Sequence, residues 1–191
     1  MVRTVLCTLA LSLVATPALA EPTVVAKEAG CTISKHEKDA NGLNLMVADC
    51  VWPIPSEKVI AAVKNVAAHD DYLSSVKDST VLADGRVLQV HQASGISDRQ
   101  ITLVYTNEDL PNGGFKTSWT RATTQEPLVD GRVDCPVDDG FWEVHPDGAN
   151  SKVTYHLKYD AGGKVPNWIV QSFQKSGVSD IVEQMREAAA K

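Results

Sequence analysis

The chain has 191 residues and a formal net charge of −6 at pH 7, with 18 Lys and Arg against 24 Asp and Glu. This acidic balance, without a cluster of basic residues, argues against a nucleic-acid partner and against electrostatic docking on anionic lipid. Residues 1–20 have the pattern of a cleavable signal peptide, and residues 21–191 suit a single domain with a sizeable core.

The predicted signal peptide begins the chain. Arg3 supplies a positive charge, residues 5–14 are mostly apolar, and the small-residue sequence Ala18-Leu19-Ala20 precedes Glu21. The apolar run is shorter than the roughly 20 residues of a membrane-spanning helix, which favours cleavage over an uncleaved anchor. We therefore expect a secreted or periplasmic protein that starts at Glu21. With no second long apolar run, we expect no stable membrane insertion.

Three cysteines remain after cleavage, and two of them are predicted to pair. Residues 31–34 and 43–51 resemble strands, and the sequence Asp39-Ala40-Asn41-Gly42 predicts a four-residue hairpin loop between them. This loop would place Cys31 opposite Cys50, close enough for a disulfide in an exported protein. A hairpin slipped by one residue would instead leave two reduced cysteines on opposite faces. Cys135 would stay unpaired and at least partly buried, without a catalytic role.

The middle of the chain is dominated by strands. Ser56 is predicted to cap a helix over residues 56–67, and a short turn follows at 70–73. Strands grouped without intervening helices indicate an antiparallel α+β fold. Alternating patterns and turn sequences place these strands at 76–82, 86–91, 100–106, 114–121, 132–135, 141–145 and 152–159.

A long amphipathic helix closes the chain. Gly162 and Gly163 allow a sharp turn after the last strand, and Pro166 lies near the first helical turn, where its missing N–H costs nothing. An apolar helix face laid over a sheet leaves room for an apolar ligand between them. At 100° per residue this face contains Ile169, Val170, Phe173, Gly177, Ile181 and Ala188, widened by Val178, Val182 and Met185. The opposite face contains Lys175, Ser179, Glu183 and Arg186.

Four segments, in this order, resemble the START-like lipid-binding proteins of the helix-grip (Bet v 1-like, polyketide cyclase/aromatase) superfamily. Residues 52–59 are similar to the junction between a strand and the first helix of that family. Residues 95–100 resemble a segment that ends in Arg-Asp, with Gln100 in place of the acid. Residues 140–142 match a recurrent Gly-x-Trp. Residues 160–170 resemble Asp-Pro-Gly-Gly-x-x-Pro-x-Trp-Leu-Val, with Ala161 in place of the first proline.

The resemblance implies a curved antiparallel sheet wrapped around a long C-terminal helix, with an apolar tunnel between them. The family mostly binds and carries lipids, sterols or other hydrophobic molecules, and some relatives cyclise polyketides. Together with the predicted signal peptide, the resemblance leads us to expect an exported bacterial, non-enzymatic protein that binds or transfers a lipid, a sterol or a similar molecule. Such a carrier would need transient contact with a membrane or a partner protein. Two alternatives remain: a cyclase- or hydrolase-like enzyme that uses the same cavity, and an interaction module whose interior is filled by its own side chains.

The candidate cavity residues lie on the helix face and on the strands. The helix contributes Ile169, Val170, Phe173, Gly177 and Ile181, and the strands contribute Tyr105, Phe115 and Trp119. The polar candidate is Arg99, either buried against a ligand headgroup or paired with Asp98 or another surface acid.

The sequence shows no catalytic constellation. The five histidines lack metal-ligand spacing, so we expect neither a metal nor another cofactor. His91 is predicted to be a structural histidine. The sequences His69-Asp70-Asp71 and Asp138-Asp139 are predicted to be solvated acidic turns.

Overall fold

A computed structural model describes residues 21–191; the predicted signal peptide, residues 1–20, lies outside the described residues. The described residues form ten strands in one sheet, with neighbours in the order β1-β2-β3-β10-β9-β7-β6-β5-β4 and with β8 beside β6. The strands are β1 (Thr23–Glu28), β2 (Cys31–Lys38), β3 (Asn44–Trp52), β4 (Val76–Val81), β5 (Val87–His91), β6 (Arg99–Leu110), β7 (Gly114–Arg121), β8 (Val133–Asp134), β9 (Val137–Asp147) and β10 (Asn150–Asp160).

The helices lie in two groups. The first group is α1 (Ser56–Lys64), a 3₁₀ turn (Val66–Ala68) and α2 (His69–Tyr72). The second is α3 (Asn167–Ser172), a π turn (Phe173–Gly177) and α4 (Val178–Ala190). Within residues 21–191, none of these helices has both the length and the apolar character needed to cross a membrane.

The first hairpin has the predicted register. Cys31 lies opposite Cys50, and the same alignment continues to Lys35 opposite Met46, after which the strands shift by one residue. The two cysteines form the predicted disulfide, with their Cα atoms 3.9 Å apart. Cys135 is free and fully buried.

Three local features differ from the sequence-based predictions. Ser56 does not cap α1: the helix begins at Ser56, and the carbonyl of Pro55 accepts the first hydrogen bonds, from the amides of Lys58 and Val59. β1 is absent from the sequence-based prediction, because its sequence, Thr-Val-Val-Ala-Lys-Glu, lacks the alternation of apolar and polar residues that marks a strand. β8 pairs with β6 in parallel, whereas β6 pairs with its two other neighbours, β5 and β7, in antiparallel.

The π turn shifts the buried face of the last helix by one position. Ser179, predicted to face outward, is only 4% exposed, and Ala189 rather than the predicted Ala188 is buried. Val170, which precedes the turn, is 41% exposed although it lines the cavity. A π turn inserts one residue relative to the α-helical repeat, so the positions after it rotate by about 100°. The most buried side chains of α4 are accordingly Val178, Val182, Met185 and Ala189.

One end of the molecule is filled by apolar side chains. α1 packs against α4 and against β7, β9 and β10. Phe115 belongs to this end: it is 2% exposed, and the Lys64 ammonium lies 4.1 Å from the centre of its ring. The other side chains of this filled end include Trp52, Val59, Val63, Val144 and Met185.

A candidate ligand-binding cavity

A cavity of about 710 Å³ lies between the concave face of the sheet and the C-terminal helical segment. Its lining includes residues of eight strands, three helices and the π turn, together with the loop over residues 92–98 and the loop before α3, residues 161–166. This volume lies within the roughly 300–1,000 Å³ of small-molecule sites. The interior of the protein is therefore hollow at this end, which argues against an interaction module whose cavity is filled by its own side chains.

The structure brings most of the predicted cavity residues together. The lining contains Arg99, Tyr105, Trp119, Ile169, Val170, Phe173 and Ile181. Phe115 does not reach it, because it lies under α1 in the filled end described above. Gly177 does not line it either: a Cβ atom on Gly177 would lie 2.5 Å from the ring of Phe173, so this glycine makes room for a lining residue.

Four aromatic rings form a continuous wall of the cavity. The ring of Trp119 lies 5.9 Å from that of Tyr105 and 6.0 Å from that of Tyr155, and Tyr155 lies 4.2 Å from Trp142. Gly140 makes this arrangement sterically feasible, because a Cβ there would lie 2.5 Å from the Trp119 ring. The sequence analysis missed Tyr155 and did not assign Trp142 to the cavity, although both lie on alternating positions of strands that it predicted.

Asp138 lines the cavity beside this wall and is buried, contrary to the prediction of a solvated turn. β9 begins at Val137, four residues earlier than predicted, so the side chain of Asp138 points to the same face as that of Trp142. Its Oδ1 accepts a hydrogen bond of 2.7 Å from Trp119 Nε1. Burial raises the pKa of Asp138 to about 7, and the Trp119 hydrogen bond opposes that rise.

His91 faces the same carboxylate across a longer gap. Its Nε2 lies 3.7 Å from Asp138 Oδ2 and 3.2 Å from Gln89 Oε1, while Nδ1 lies 3.2 Å from the hydroxyl of Tyr159. Burial lowers the pKa of His91 to about 4. The Asp138–His91 contact has the spacing of an ion pair, but burial acts on both groups to favour their neutral forms. We conclude that His91 is neutral at physiological pH because burial lowers its pKa to about 4. Asp138 does not offset this effect, since 3.7 Å is too long for a direct hydrogen bond.

His69 is a second buried histidine of the lining and also contradicts the prediction of a solvated turn. It is 5% exposed, and its Nε2 has no hydrogen-bond partner within the described part of the chain. Burial lowers its pKa to about 4, so the ring is neutral. It presents an unpartnered acceptor or donor to the cavity wall.

Arg99 is buried without an acidic partner. It is 3% exposed, and its guanidinium donates to the backbone carbonyls of Ser97, Ala161 and Gly162. The alternative that Arg99 pairs with Asp98 is wrong, because Asp98 pairs with Lys77 at 2.6 Å. Arg99 therefore ties the loop between β5 and β6 to the loop that precedes α3, two segments that both line the cavity.

Solved structures with the same architecture identify the fold. A STAR-related lipid transfer protein from Xanthomonas axonopodis superposes with a TM-score of 0.79 at 18% identity, covering 89% of this chain and 99% of that one. Human StAR-related lipid transfer protein 5 superposes with a TM-score of 0.80 at 14% identity, covering 92% of this chain and 88% of that one. The chain has a START-like helix-grip fold. This confirms the fold class that the sequence motifs predicted.

Two further comparisons concern an enzyme and an uncharacterized protein. An aromatase/cyclase from a Streptomyces species shares the START-like fold with a TM-score of 0.50 at 14% identity, covering 76% of this chain and 93% of that one. An uncharacterized protein of Pseudomonas aeruginosa is 26% identical over 97 residues, which is 50% of this chain and 48% of that protein. The match thus spans about half the length of the curated relative. No family model matches the sequence.

Metal chemistry has no visible site in the described residues. Across residues 21–191 no group of three or more His, Cys, Asp and Glu side chains is placed to hold a metal ion. The polar groups that line the cavity include the carboxylate of Asp138, the imidazoles of His69 and His91, and the guanidinium of Arg99.

Proposed function

We propose that this protein is an exported carrier that binds a lipid- or sterol-like molecule between its C-terminal helical segment and the concave sheet. The observation that carries the proposal is the cavity of about 710 Å³ in a START-like fold. Burial of about 400 Å² of apolar ligand surface would contribute about 10 kcal/mol before the costs of association. Those costs take several kcal/mol, which leaves a useful affinity.

Export is supported by two independent features. The sequence of residues 1–20 has the signal-peptide pattern, and the Cys31–Cys50 disulfide is compatible with an oxidising compartment. Sequencing the N-terminus of the protein recovered from the periplasm or the medium should give a start at Glu21. Recovery of a chain that still contains residues 1–20, attached to the membrane, would contradict this part of the proposal.

Ligand transfer requires contact with a donor or acceptor, and apolar side chains are exposed beside the cavity. Trp168 is 64% exposed and Val170 is 41% exposed at the start of the C-terminal helical segment. A Cβ on Gly95 would lie 3.7 Å from the ring of Trp168, so the loop over residues 92–98 lies next to this helix. These side chains support a transient contact with a membrane or a partner protein at that end.

The direct test is to identify what occupies the cavity. Native mass spectrometry and organic extraction of the purified protein should reveal a bound apolar molecule, and delipidated protein should take up the fluorescent dye Nile red. The variant Leu157→Trp fills space in the lining and should lose Nile red binding. Val104→Trp, at an exposed position of β6, is the matched control and should bind normally. Wild-type protein that stays empty with every lipid, sterol and quinone tested would refute the proposal.

The enzymatic alternative is favoured by one observation: the buried Asp138 and the partly buried His91 face each other on the cavity wall. Two titratable groups that converge inside an apolar cavity are what general acid–base chemistry requires. Mass spectrometry of the extracted ligand before and after incubation with fresh protein separates the two functions. A ligand of unchanged mass supports a carrier, whereas conversion that disappears in Asp138→Asn would establish an enzyme.

A further inference from the structure

Asp138 has one carboxylate oxygen that accepts no hydrogen bond from the side chains the structure describes. Oδ1 accepts the hydrogen bond from Trp119, whereas His91 Nε2 lies 3.7 Å from Oδ2, beyond hydrogen-bonding distance. Asp138 is 5% exposed, so little water reaches this oxygen, and a carboxylate oxygen with few hydrogen-bond donors costs free energy. An oxygen of this kind on the wall of a cavity is placed to receive a donor from a ligand.

His91 offers a donor on the other side of the same gap. Gln89 Nε2 donates to Ser79 Oγ at 3.1 Å, which directs Gln89 Oε1 toward His91. Because Oε1 can only accept, the hydrogen bond assigns the proton of neutral His91 to Nε2. The Nε2–H group therefore faces both Gln89 Oε1 at 3.2 Å and Asp138 Oδ2 at 3.7 Å.

We propose that Asp138 Oδ2 and His91 Nε2 together bind the hydroxyl group of an otherwise apolar ligand, an alcohol, inside the cavity. The inference rests on the proposed ligand-binding function and specifies the chemistry of the ligand. The 3.7 Å separation is too long for a direct hydrogen bond, but an oxygen atom can lie about 2.8 Å from both atoms. That oxygen would donate its proton to Oδ2 and accept the proton of Nε2.

The surroundings of this gap favour an alcohol over a carboxylate or an ether. A ligand carboxylate would meet the carboxylate of Asp138 without an intervening cation, since no Lys or Arg of the described chain forms an ion pair with Asp138. An ether could accept from His91 but would leave Oδ2 without a donor. The flat rings of Trp119, Tyr105 and Tyr155 next to the gap can pack against an apolar skeleton.

The test compares two ligands that differ only at the polar end. Displacement of Nile red from delipidated protein at pH 8 is measured with 1-tetradecanol and with 1-methoxytetradecane. We expect the wild type to bind the alcohol at least tenfold more tightly than the ether, because only the alcohol satisfies both groups. In Asp138→Asn, the amide oxygen can still accept from Trp119 while Nδ2 replaces the acceptor, so the preference should disappear or reverse while Nile red still binds.

Control variants separate this inference from the function on which it rests. Asp139→Asn changes the next residue of β9, whose carboxylate accepts from Thr120 Oγ1 at 2.6 Å, and should keep the preference for the alcohol. Loss of the preference in His69→Phe but not in Asp138→Asn would place the hydroxyl elsewhere and overturn the assignment. Equal affinity of the wild type for alcohol and ether, or tighter binding of tetradecylamine, would also overturn it. If Nile red, 1-tetradecanol and 1-methoxytetradecane all fail to bind, the carrier function itself is refuted instead.

Discussion

Burial of the ionised Asp138 carboxylate destabilises the folded protein. Burial raises its pKa, the Trp119 hydrogen bond lowers it, and the charge of Asp139 raises it, for a result of about 7. The titratable groups around it are His91 on β5, Tyr105 on β6, Tyr155 and Tyr159 on β10, and Cys135. None of them is a cation at neutral pH, so deprotonation of Asp138 places an uncompensated negative charge in the core.

The substitution Asp138→Asn should remove part of the pH dependence of stability. The pKa of Asp138 is raised from 3.8 in the unfolded chain to about 7, so the native state keeps a proton that the unfolded state loses. The free energy of unfolding therefore falls as pH rises from about 4 to about 7. We expect Asp138→Asn, compared with the wild type, to gain on the order of 4 kcal/mol above pH 7 and nothing near pH 4. Urea unfolding of both proteins from pH 4 to pH 8 measures this difference.

The histidines act in the opposite direction and do not obscure the comparison. Burial lowers the pKa of His69 and of His91 to about 4, so each contributes stability that is lost as pH falls below the ordinary value of 6.5. Both proteins carry these histidines, and the difference between the two curves isolates residue 138. Curves that run parallel from pH 4 to pH 8 would show that the Asp138 carboxyl is not desolvated in solution.

At the scale of secondary structure, the π turn determines which residues of the last helix reach the cavity. Phe173 begins the turn, lines the cavity and lies 5.4 Å from the ring of Tyr159. Gly177 ends the turn and leaves space for the Phe173 ring. A π turn within a longer helical segment often occurs at a functional site, since it re-aims a side chain without ending the segment.

Gly177→Ala should weaken ligand binding although alanine favours helices. The substitution gains about 1 kcal/mol of helix propensity. However, its Cβ would lie 2.5 Å from the Phe173 ring, and overpacking of this kind costs about 1–3 kcal/mol. We expect lower affinity for Nile red and no gain in Tm, because the displaced ring moves within the cavity lining.

A double variant tests whether the clash with the Phe173 ring causes these effects. Gly177→Ala combined with Phe173→Leu removes the clash and should recover the stability that helix propensity predicts, so the two substitutions should not be additive. Glu187→Ala, at an exposed position of α4, controls for propensity alone. Additive effects of the two substitutions would show that Gly177 does not act through Phe173.

These elements also show what the sequence can predict. The disulfide was predictable because one loop length fixes the register of a hairpin, and register fixes which side chains oppose each other. Which face of the last helix is buried could not be predicted after the π turn, because a 3.6-residue repeat contains no signal for an inserted residue. Asp138 was assigned to a turn because two consecutive acids suggest solvent; only the strand pairing, with Asp138 opposite Tyr159, shows that one of them faces inward.

At the scale of the whole molecule, the filled and hollow ends have different roles. α1 and the adjacent part of α4 pack on the sheet and form the solid core. The lining of the hollow end includes loop residues, and Arg99 holds two of these loops together through backbone carbonyls. Segments with few buried apolar contacts open most readily, so these loops are where we expect the lining to move when a ligand enters or leaves.

Ligand occupancy should therefore stabilise the whole domain and protect the hollow end in particular. A ligand at 100 times its Kd adds about 2.7 kcal/mol to the free energy of unfolding. At about 2–4 °C for each kcal/mol in a domain of this size, the Tm of loaded protein should exceed that of delipidated protein by about 5–10 °C. Hydrogen exchange should slow in residues 92–98 and in α3, and change little in α1, which lies in the core that is filled without ligand. Leu157→Trp should show neither the rise in Tm nor the slower exchange, and slower exchange confined to α1 would contradict binding in this cavity.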